Sequence, residues 1–98
     1  MNTFEIEKVD ESEAMQLLQN DNQLALTAIL RDIVPAIMPL LHLHSRRLSN
    51  EDIEEVIAIS LANLWHRRKY IKGDLYSNLY LILRNSILNF KDKNRECY

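Results

Sequence analysis

SNEDIEEVIAISLANLWHRRK, residues 49–69, predicts one long amphipathic helix against which the rest of the chain can pack. Its apolar residues recur at three- and four-residue spacing, which places side chains on one face of a helix with about 3.6 residues per turn. The members of this stripe, one serine included, are Ile53, Val56, Ile57, Ser60, Leu61, Leu64 and Trp65. This face should therefore belong to the core of the protein, with Trp65 near its centre.

The two ends of this helix carry opposite charges. Ser49 stands three residues before Asp52, the spacing of a capping box, and acidic residues in a first turn complement its unpaired amides. At the other end, basic or titratable side chains precede a tyrosine and the single glycine of the chain. These residues are His66, Arg67, Arg68, Lys69, Tyr70 and Gly73. The helix is thus predicted to begin acidic and to end basic and aromatic.

The N-terminal half of the chain predicts two more helices. Asp10 and Glu13 have the spacing of another capping box, and a short helix of about two turns should follow them. A second helix should start near Gln23 and run into the forties, with Pro35 and Pro39 inside it. An interior proline removes a backbone hydrogen bond at a cost of ~3 kcal/mol, so the helix should either kink there or restart with Pro35 in its first turn, and of the two we expect the kink.

The C-terminal part predicts one further helix and no strand. Apolar residues again recur at helical spacing from Leu75 to about Lys93, and no segment alternates in the manner of a strand. With 98 residues and 47% apolar content, the chain suits one domain. We therefore expect an all-α fold, a compact bundle of three to four helices. Residues 1–10 should form an N-terminal tail, 11–93 the domain, and 94–98 a C-terminal tail or the start of a linker.

The net charge of −2 conceals a gradient along the chain. Residues 1–24 carry six acids and one lysine, a balance of −5, whereas residues 66–98 carry eight Lys or Arg against three acids, a balance of +5. A basic C-terminal third can be a solvated face that keeps the protein soluble. It can equally mark the contact with an anionic partner.

Several function classes find no support in the residues. The longest apolar run, residues 33–41, is shorter than the roughly 20 residues of a membrane span, and the acidic N-terminus differs from a signal peptide. A lone Cys97 cannot form an internal disulfide, so we expect a cytoplasmic protein. His42 and His44 should lie on different faces of a helix, which argues against a metal site. We expect no cofactor and no enzymatic activity, because the chain has no glycine-rich phosphate loop and no cysteine with a nearby base.

Residues 52–65, DIEEVIAISLANLW, and residues 79–90, LYLILRNSILNF, form a pair of segments separated by a basic loop. Together they resemble region 2 of bacterial sigma factors of the sigma-70 class, most closely the extracytoplasmic-function (ECF) group. In that group a segment like DAEDLVQETFxxLW is followed by a basic loop and then by WLYxIARNxxLDY. The matching residues are Asp52, Glu54, Glu55, Leu64 and Trp65 in the first segment and Leu79, Tyr80, Ile82, Arg84, Asn85, Leu88 and Phe90 in the second. The resemblance extends from about Glu11 to Lys93, nearly the whole chain.

The resemblance implies a module of transcription initiation that docks on the RNA polymerase core, at the clamp-helix coiled coil of its largest catalytic subunit. The residues that it assigns to this contact are Asp52, Glu54, Glu55, Ala58 and Ile59. Ala58 and Ile59 replace a polar Gln-Glu pair of the family. Since Ile59 lies off the main apolar stripe, it is either an exposed contact for a partner or buried against a further surface.

The resemblance also implies binding to promoter DNA, where the module captures the melted minus-ten element through flipped-out bases of the non-template strand. The residues assigned to this contact are Arg67, Arg68, Lys69, Tyr70, Lys72, Tyr76, Tyr80, Arg84 and Asn85. The cations would neutralise phosphates, and tyrosine rings would stack on bases at ~1–3 kcal/mol each. The residues themselves leave two alternatives open. Tyr76 and Tyr80 can be half-buried core, and the arginines can be an ordinary soluble surface.

Two departures from the family pattern keep a second hypothesis open. Asn78 stands where the family often has a tryptophan, and no helix-turn-helix segment follows Phe90. The chain is then either a fragment of a longer factor or a stand-alone sigma-like co-regulator, a half-sigma interaction protein without DNA melting. An anti-sigma factor or a second sigma-like subunit would be a further partner.

Overall fold

The computed structural model describes the backbone of residues 10–96 and the side chains of residues 10–91. Four helices follow one another in this part of the chain, and none of its residues forms a strand. They are α1 (Glu11–Gln19), α2 (Leu24–Ser45), α3 (Asn50–His66) and α4 (Leu75–Glu96). The predicted all-α bundle is confirmed, and α4 continues into the predicted C-terminal tail. The rest of the predicted N-terminal tail, residues 1–9, and Cys97 lie outside the described residues.

Side chains cap the starts of α1, α3 and α4. Asp10 accepts a hydrogen bond from a first-turn amide of α1. Ser49 Oγ accepts from the Asp52 amide at 3.1 Å and Asp52 Oδ2 accepts from the Ser49 amide at 3.3 Å, which confirms the capping box predicted for α3. Asp74 accepts from the Ser77 amide at 2.8 Å. Each cap satisfies an amide that has no partner within its helix, and so fixes where the helix begins.

The long helix α2 remains helical through both of its prolines by changing its hydrogen-bond spacing. Ile29–Ile33, just before Pro35, forms a π-helical turn, and Met38–Leu41, which contains Pro39, forms a 3₁₀ turn. A proline inside an α-helix lacks an amide, and its ring clashes with the carbonyl four residues earlier. A π-helical turn is wider than an α-helical turn and a 3₁₀ turn is narrower, and these changes relieve that conflict. α-Helical hydrogen bonding restarts in Val34–Ile37, with Pro35 in its first turn, so the restart is the alternative that the structure shows, and it occurs within one continuous helical stretch.

The core is built around the pair α3 and α4. On α4 the fully buried residues recur every four positions, and α3 supplies a second stripe with the same spacing. The core residues are Leu75, Leu79, Leu83 and Ile87 on α4, Val56 and Leu64 on α3, Ala25, Ala28, Ile29, Ile33, Val34, Ile37 and Leu41 on α2, and Ala14 and Leu18 on α1. Ser60 is buried among them, and its hydroxyl donates to the Val56 carbonyl at 2.7 Å and lies 3.0 Å from Ser86 Oγ. Its polar group is therefore satisfied inside the core.

Trp65 does not lie at the centre of the core, contrary to the sequence prediction. The buried residues of α3 follow a four-residue spacing that ends at Leu64, so Trp65 is turned about 100° away around the helix. Its indole is half-buried and packs against the edge of the core. The Arg68 guanidinium covers the ring at 4.0 Å from the centroid. Trp65 thus joins the core to the basic loop that follows α3.

Hydrogen bonds stabilise the end of the connection between α3 and α4, where the chain enters α4. Gly73 adopts a φ of 83°, a left-handed conformation that L side chains rarely adopt. The Asn78 amide group donates to the Lys72 carbonyl at 2.8 Å and to the Asp74 carbonyl at 2.7 Å. Glu11 of α1 accepts from the first-turn amide of α4 at 2.9 Å. Asn78, a departure from the sigma pattern, therefore has a structural role in this chain.

The helix α2 has the length and apolar composition of a membrane span, with a mean hydropathy of 1.8 over an 18-residue window. The apolar run counted from the sequence, residues 33–41, stopped at Asp32 and His42, whereas the helix continues past both. One face of α2 is buried inside the bundle. A core helix of a globular protein has the same length and composition.

Truncation of a buried α4 leucine should destabilise the bundle, whereas truncation of an exposed one should not. Leu83 is fully buried, and Leu81 on the same helix is 54% exposed. We expect Leu83→Ala to lower the free energy of unfolding by about 2–5 kcal/mol through lost burial and a residual cavity. Leu81→Ala should change it by no more than about 0.5 kcal/mol. Urea denaturation followed by circular dichroism measures both, and equal losses would contradict this core.

Candidate nucleic-acid and partner surfaces

Arg68 and Lys69 bind the corner between α1 and α2. Arg68 Nε lies 2.7 Å from Asp21 Oδ1, and Lys69 Nζ lies 3.1 Å from the same oxygen. Each cation has a second anchor. A terminal guanidinium nitrogen of Arg68 donates to the Trp65 carbonyl at 2.7 Å, and Lys69 Nζ donates to the Gln19 carbonyl at 2.7 Å. We call the three charged residues, Asp21, Arg68 and Lys69, the Asp21 clasp.

The backbone and the charge of Asp21 both fit this role. Asp21 adopts a φ of 60°, a left-handed conformation that aspartate tolerates better than most residues. The hydrogen bonds from Arg68 and then Lys69 lower the pKa of the Asp21 carboxyl below its usual value of 3.8. The carboxylate is therefore ionised throughout the physiological pH range, and the clasp is present there.

The other predicted DNA contacts in the loop after α3 are accessible to solvent. Arg67 and Lys72 are exposed, and neither forms an ion pair with another described residue. Tyr70 is the most exposed of the predicted tyrosines, with 81% of its surface accessible. This loop therefore offers two cations and one aromatic ring to a partner.

Tyr76 and Tyr80 are placed differently from Tyr70. Both are half-buried and pack against the core, which is the alternative to base stacking that the sequence left open for them. The Tyr76 hydroxyl donates to the Ala36 carbonyl of α2 at 3.1 Å, which holds the ring against that helix. Neither ring is as accessible for stacking as Tyr70.

A groove lined by carboxamides runs between α3 and α4 on the outer side of the pair. Its main cavity has a volume of about 460 Å³ and is lined by Asn63, Arg67, Ile82, Asn85, Ser86, Leu88 and Asn89. A smaller cavity of about 150 Å³ continues it and shares three of these residues, with Glu55, Ile59 and Phe90 added. We call this surface the amide groove. Arg84, the remaining predicted contact, is half-buried and does not line it.

Of the residues that line the amide groove, Arg67 and Asn85 were predicted to contact DNA, whereas Asn63 and Asn89 were not. The spacing of residues along the two helices could have identified both asparagines. Asn63 lies four residues before Arg67, and Asn89 lies four residues after Asn85, so each pair shares a helix face. The fact that the two faces oppose each other follows only from the packing of α3 against α4.

The residues predicted to contact polymerase lie on both edges of the exposed face of α3. Glu54 and Ala58 line a small apolar groove of about 260 Å³ against α2, together with Leu30, Ile57 and Leu61. Glu55 and Ile59 line the amide groove on the opposite edge, and Ile59 is 44% exposed. Asp52 is engaged in the α3 capping box. Ile59 is therefore exposed and not buried against a further surface, and its contact with a partner stays a prediction.

The histidines of α2 form no metal-binding arrangement. Among the residues whose side chains are described, no three His, Cys, Asp or Glu lie close enough together to hold an ion. His42 is exposed, and the backbone carbonyl of His44 accepts from Lys91 Nζ at 3.1 Å. The end of α2 is thereby tied to α4.

Comparison of this chain with protein-family models, with curated proteins and with solved structures returns no match. The features of this chain that bear on its function are the two sequence segments, the amide groove, the Asp21 clasp and the apolar groove between α2 and α3.

Proposed function

We propose that this chain is a promoter-recognition module of transcription initiation, similar to region 2 of a sigma factor. It docks on the clamp helices of RNA polymerase and captures the non-template strand of the melted minus-ten element. The observation that carries this proposal is the amide groove. There Arg67, from the basic exit of α3, and Asn85, from the second resembling segment, line one cavity with two further asparagines.

The chemistry of the amide groove suits unpaired bases. A carboxamide offers both donors and acceptors, so it can pair with the edge of a base that has left its duplex. Three asparagine side chains supply such groups here, and Arg67 supplies a fixed positive charge for the strand that carries the base. The exposed ring of Tyr70, in the adjoining loop, offers a stacking face to a second base.

The acidic and apolar edge of α3 suits a helical protein partner. The apolar groove between α2 and α3 has Glu54 at its rim and is lined by Leu30, Ile57, Ala58 and Leu61. An exposed apolar surface of this kind commonly marks a contact site, and a groove between helices accepts the apolar face of another helix. A clamp helix that carries a basic residue beside an apolar one would complement both parts of this surface.

A second candidate function is a sigma-like co-regulator that binds a protein partner but does not melt DNA. The observation that favours it is the Asp21 clasp, because Arg68 and Lys69 already have an anionic partner within the chain. Tyr76 and Tyr80 are also packed against the core. The apolar groove between α2 and α3 would serve this function without any contribution from the loop.

Removal of the Arg67 charge should weaken binding to a single-stranded minus-ten oligonucleotide. We expect Arg67→Gln to make the slope of log affinity against log salt less steep by about 0.7, the value for one lost phosphate contact. Arg46→Gln makes the same charge change in the exposed connection before α3, near the opposite end of that helix, and should leave the slope unchanged. Fluorescence anisotropy over a salt series measures both. Equal slopes for the two variants, or no salt-dependent binding by the wild type, would favour the co-regulator.

A carboxylate in the apolar groove should disrupt protein docking. We expect Ala58→Glu to weaken binding to an isolated clamp-helix fragment about 5- to 150-fold, the cost of burying an unpaired polar group. Ala36→Glu places the same side chain at an exposed α2 position beside Tyr76 and should leave the affinity unchanged. Calorimetric titration measures both affinities, with circular dichroism as the check on folding. Unchanged binding by a folded Ala58→Glu variant would exclude this groove as the docking surface.

A further inference from the structure

The Asp21 carboxylate occupies the position that a phosphate oxygen would take between Arg68 and Lys69. One of its oxygens lies 2.7 Å from Arg68 Nε and 3.1 Å from Lys69 Nζ. Charge-assisted contacts at these distances are the contacts that arginine and lysine make with phosphate groups. The clasp is therefore an anion site whose present occupant belongs to the same chain.

Both cations would keep their positions if Asp21 were displaced. Arg68 is also held by the Trp65 carbonyl at 2.7 Å and by the indole ring beneath it. Lys69 is also held by the Gln19 carbonyl at 2.7 Å. These second anchors are neutral groups, so they do not compete with an anion for the charge. The site is thus preorganised for an anion independently of Asp21.

An external anion can reach the site. The side chains of Asp21 and Lys69 are each 53% exposed, and that of Arg68 is 24% exposed. An ion pair accessible to water is weak, because the solvent screens the attraction between its partners. A phosphate group carried by a bound strand can therefore displace the internal carboxylate, and the cost of breaking the internal pair lowers its net affinity. Arg67 and Lys72, in the same loop as Arg68 and Lys69, are also positively charged.

We propose that Asp21 is an internal competitor for phosphate, and that Arg68 and Lys69 bind a phosphate group of a nucleic-acid strand when that carboxylate gives way. The identity of the strand rests on the proposed function, whereas the phosphate chemistry rests on the clasp alone. Asp21 then limits how tightly the basic loop holds a strand, and so favours binding where other contacts, such as those of the amide groove, act together with the loop.

The test replaces the competitor without changing its shape. Asp21→Asn keeps the size and an acceptor oxygen but removes the charge. Glu51→Gln makes the same charge change in the exposed first turn of α3, about 25 Å from Arg68 along the helix, and serves as the matched control. The two ligands are a single-stranded oligonucleotide and inorganic tripolyphosphate, which carries the same phosphate chemistry without bases.

We expect Asp21→Asn to bind both ligands more tightly than the wild type. One phosphate held by the freed pair of cations should steepen the salt slope for the oligonucleotide by about 0.7, so that its gain grows about 2.6-fold as salt falls from about 200 mM to about 50 mM. Glu51→Gln should show neither change. The triple variant Asp21→Asn, Arg68→Gln, Lys69→Gln should lose the gain.

A measurement on the wild type guards against misfolding of the variants. Tripolyphosphate that displaces Asp21 should shift the Arg68 Nε signal in a nitrogen–proton spectrum of the wild type. Equal binding by Asp21→Asn and Glu51→Gln to both ligands, with no shift of that signal, would overturn the proposal. A gain for tripolyphosphate without oligonucleotide binding by any variant would uphold the clasp as a phosphate site and contradict the proposed function.

Discussion

The packing of α3 against α4 is the constraint on which the rest of the structure depends. Val56 and Leu64 belong to the same buried cluster as the apolar stripe of α4, and the hydrogen bond between Ser60 and Ser86 joins the two helices. A slip of one helix along the other would move the buried apolar side chains of both stripes out of their positions in the core, so the packing resists it. The same packing places the amide groove outside the core. The candidate site is therefore a consequence of the core.

Much of the fold could be predicted because its determinants are local. The capping box of Ser49 and Asp52 and the 3.6-residue stripes depend on residues three or four positions apart. The position of Trp65 was predicted wrongly because the stripe of α3 was drawn too wide, since a bundle of this size buries only the four-residue row that ends at Leu64. The adjustment of α2 around Pro35 also depends on turn geometry that a residue pattern does not specify.

The candidate surfaces were less predictable because they combine residues distant in the sequence. The sequence marks Arg68 and Lys69 as cations, but their partner Asp21 lies 47 residues before Arg68. No periodicity reports such a pairing. In the same way, Tyr76 resembled a stacking residue until its contact with the Ala36 carbonyl was known. Charge and aromatic content locate a surface in the sequence, whereas the structure decides which of its members are available to a partner.

The most direct test of the account is the response of asparagine side-chain amide signals to a single-stranded minus-ten oligonucleotide, followed by nuclear magnetic resonance. The amide groove contains Asn63, Asn85 and Asn89, while Asn20 and Asn50 lie elsewhere on the molecule. We expect the signals of the three groove asparagines to shift together on titration and those of the other two to remain in place. Shifts confined to asparagines outside the groove, or no shifts at all, would contradict the central claim.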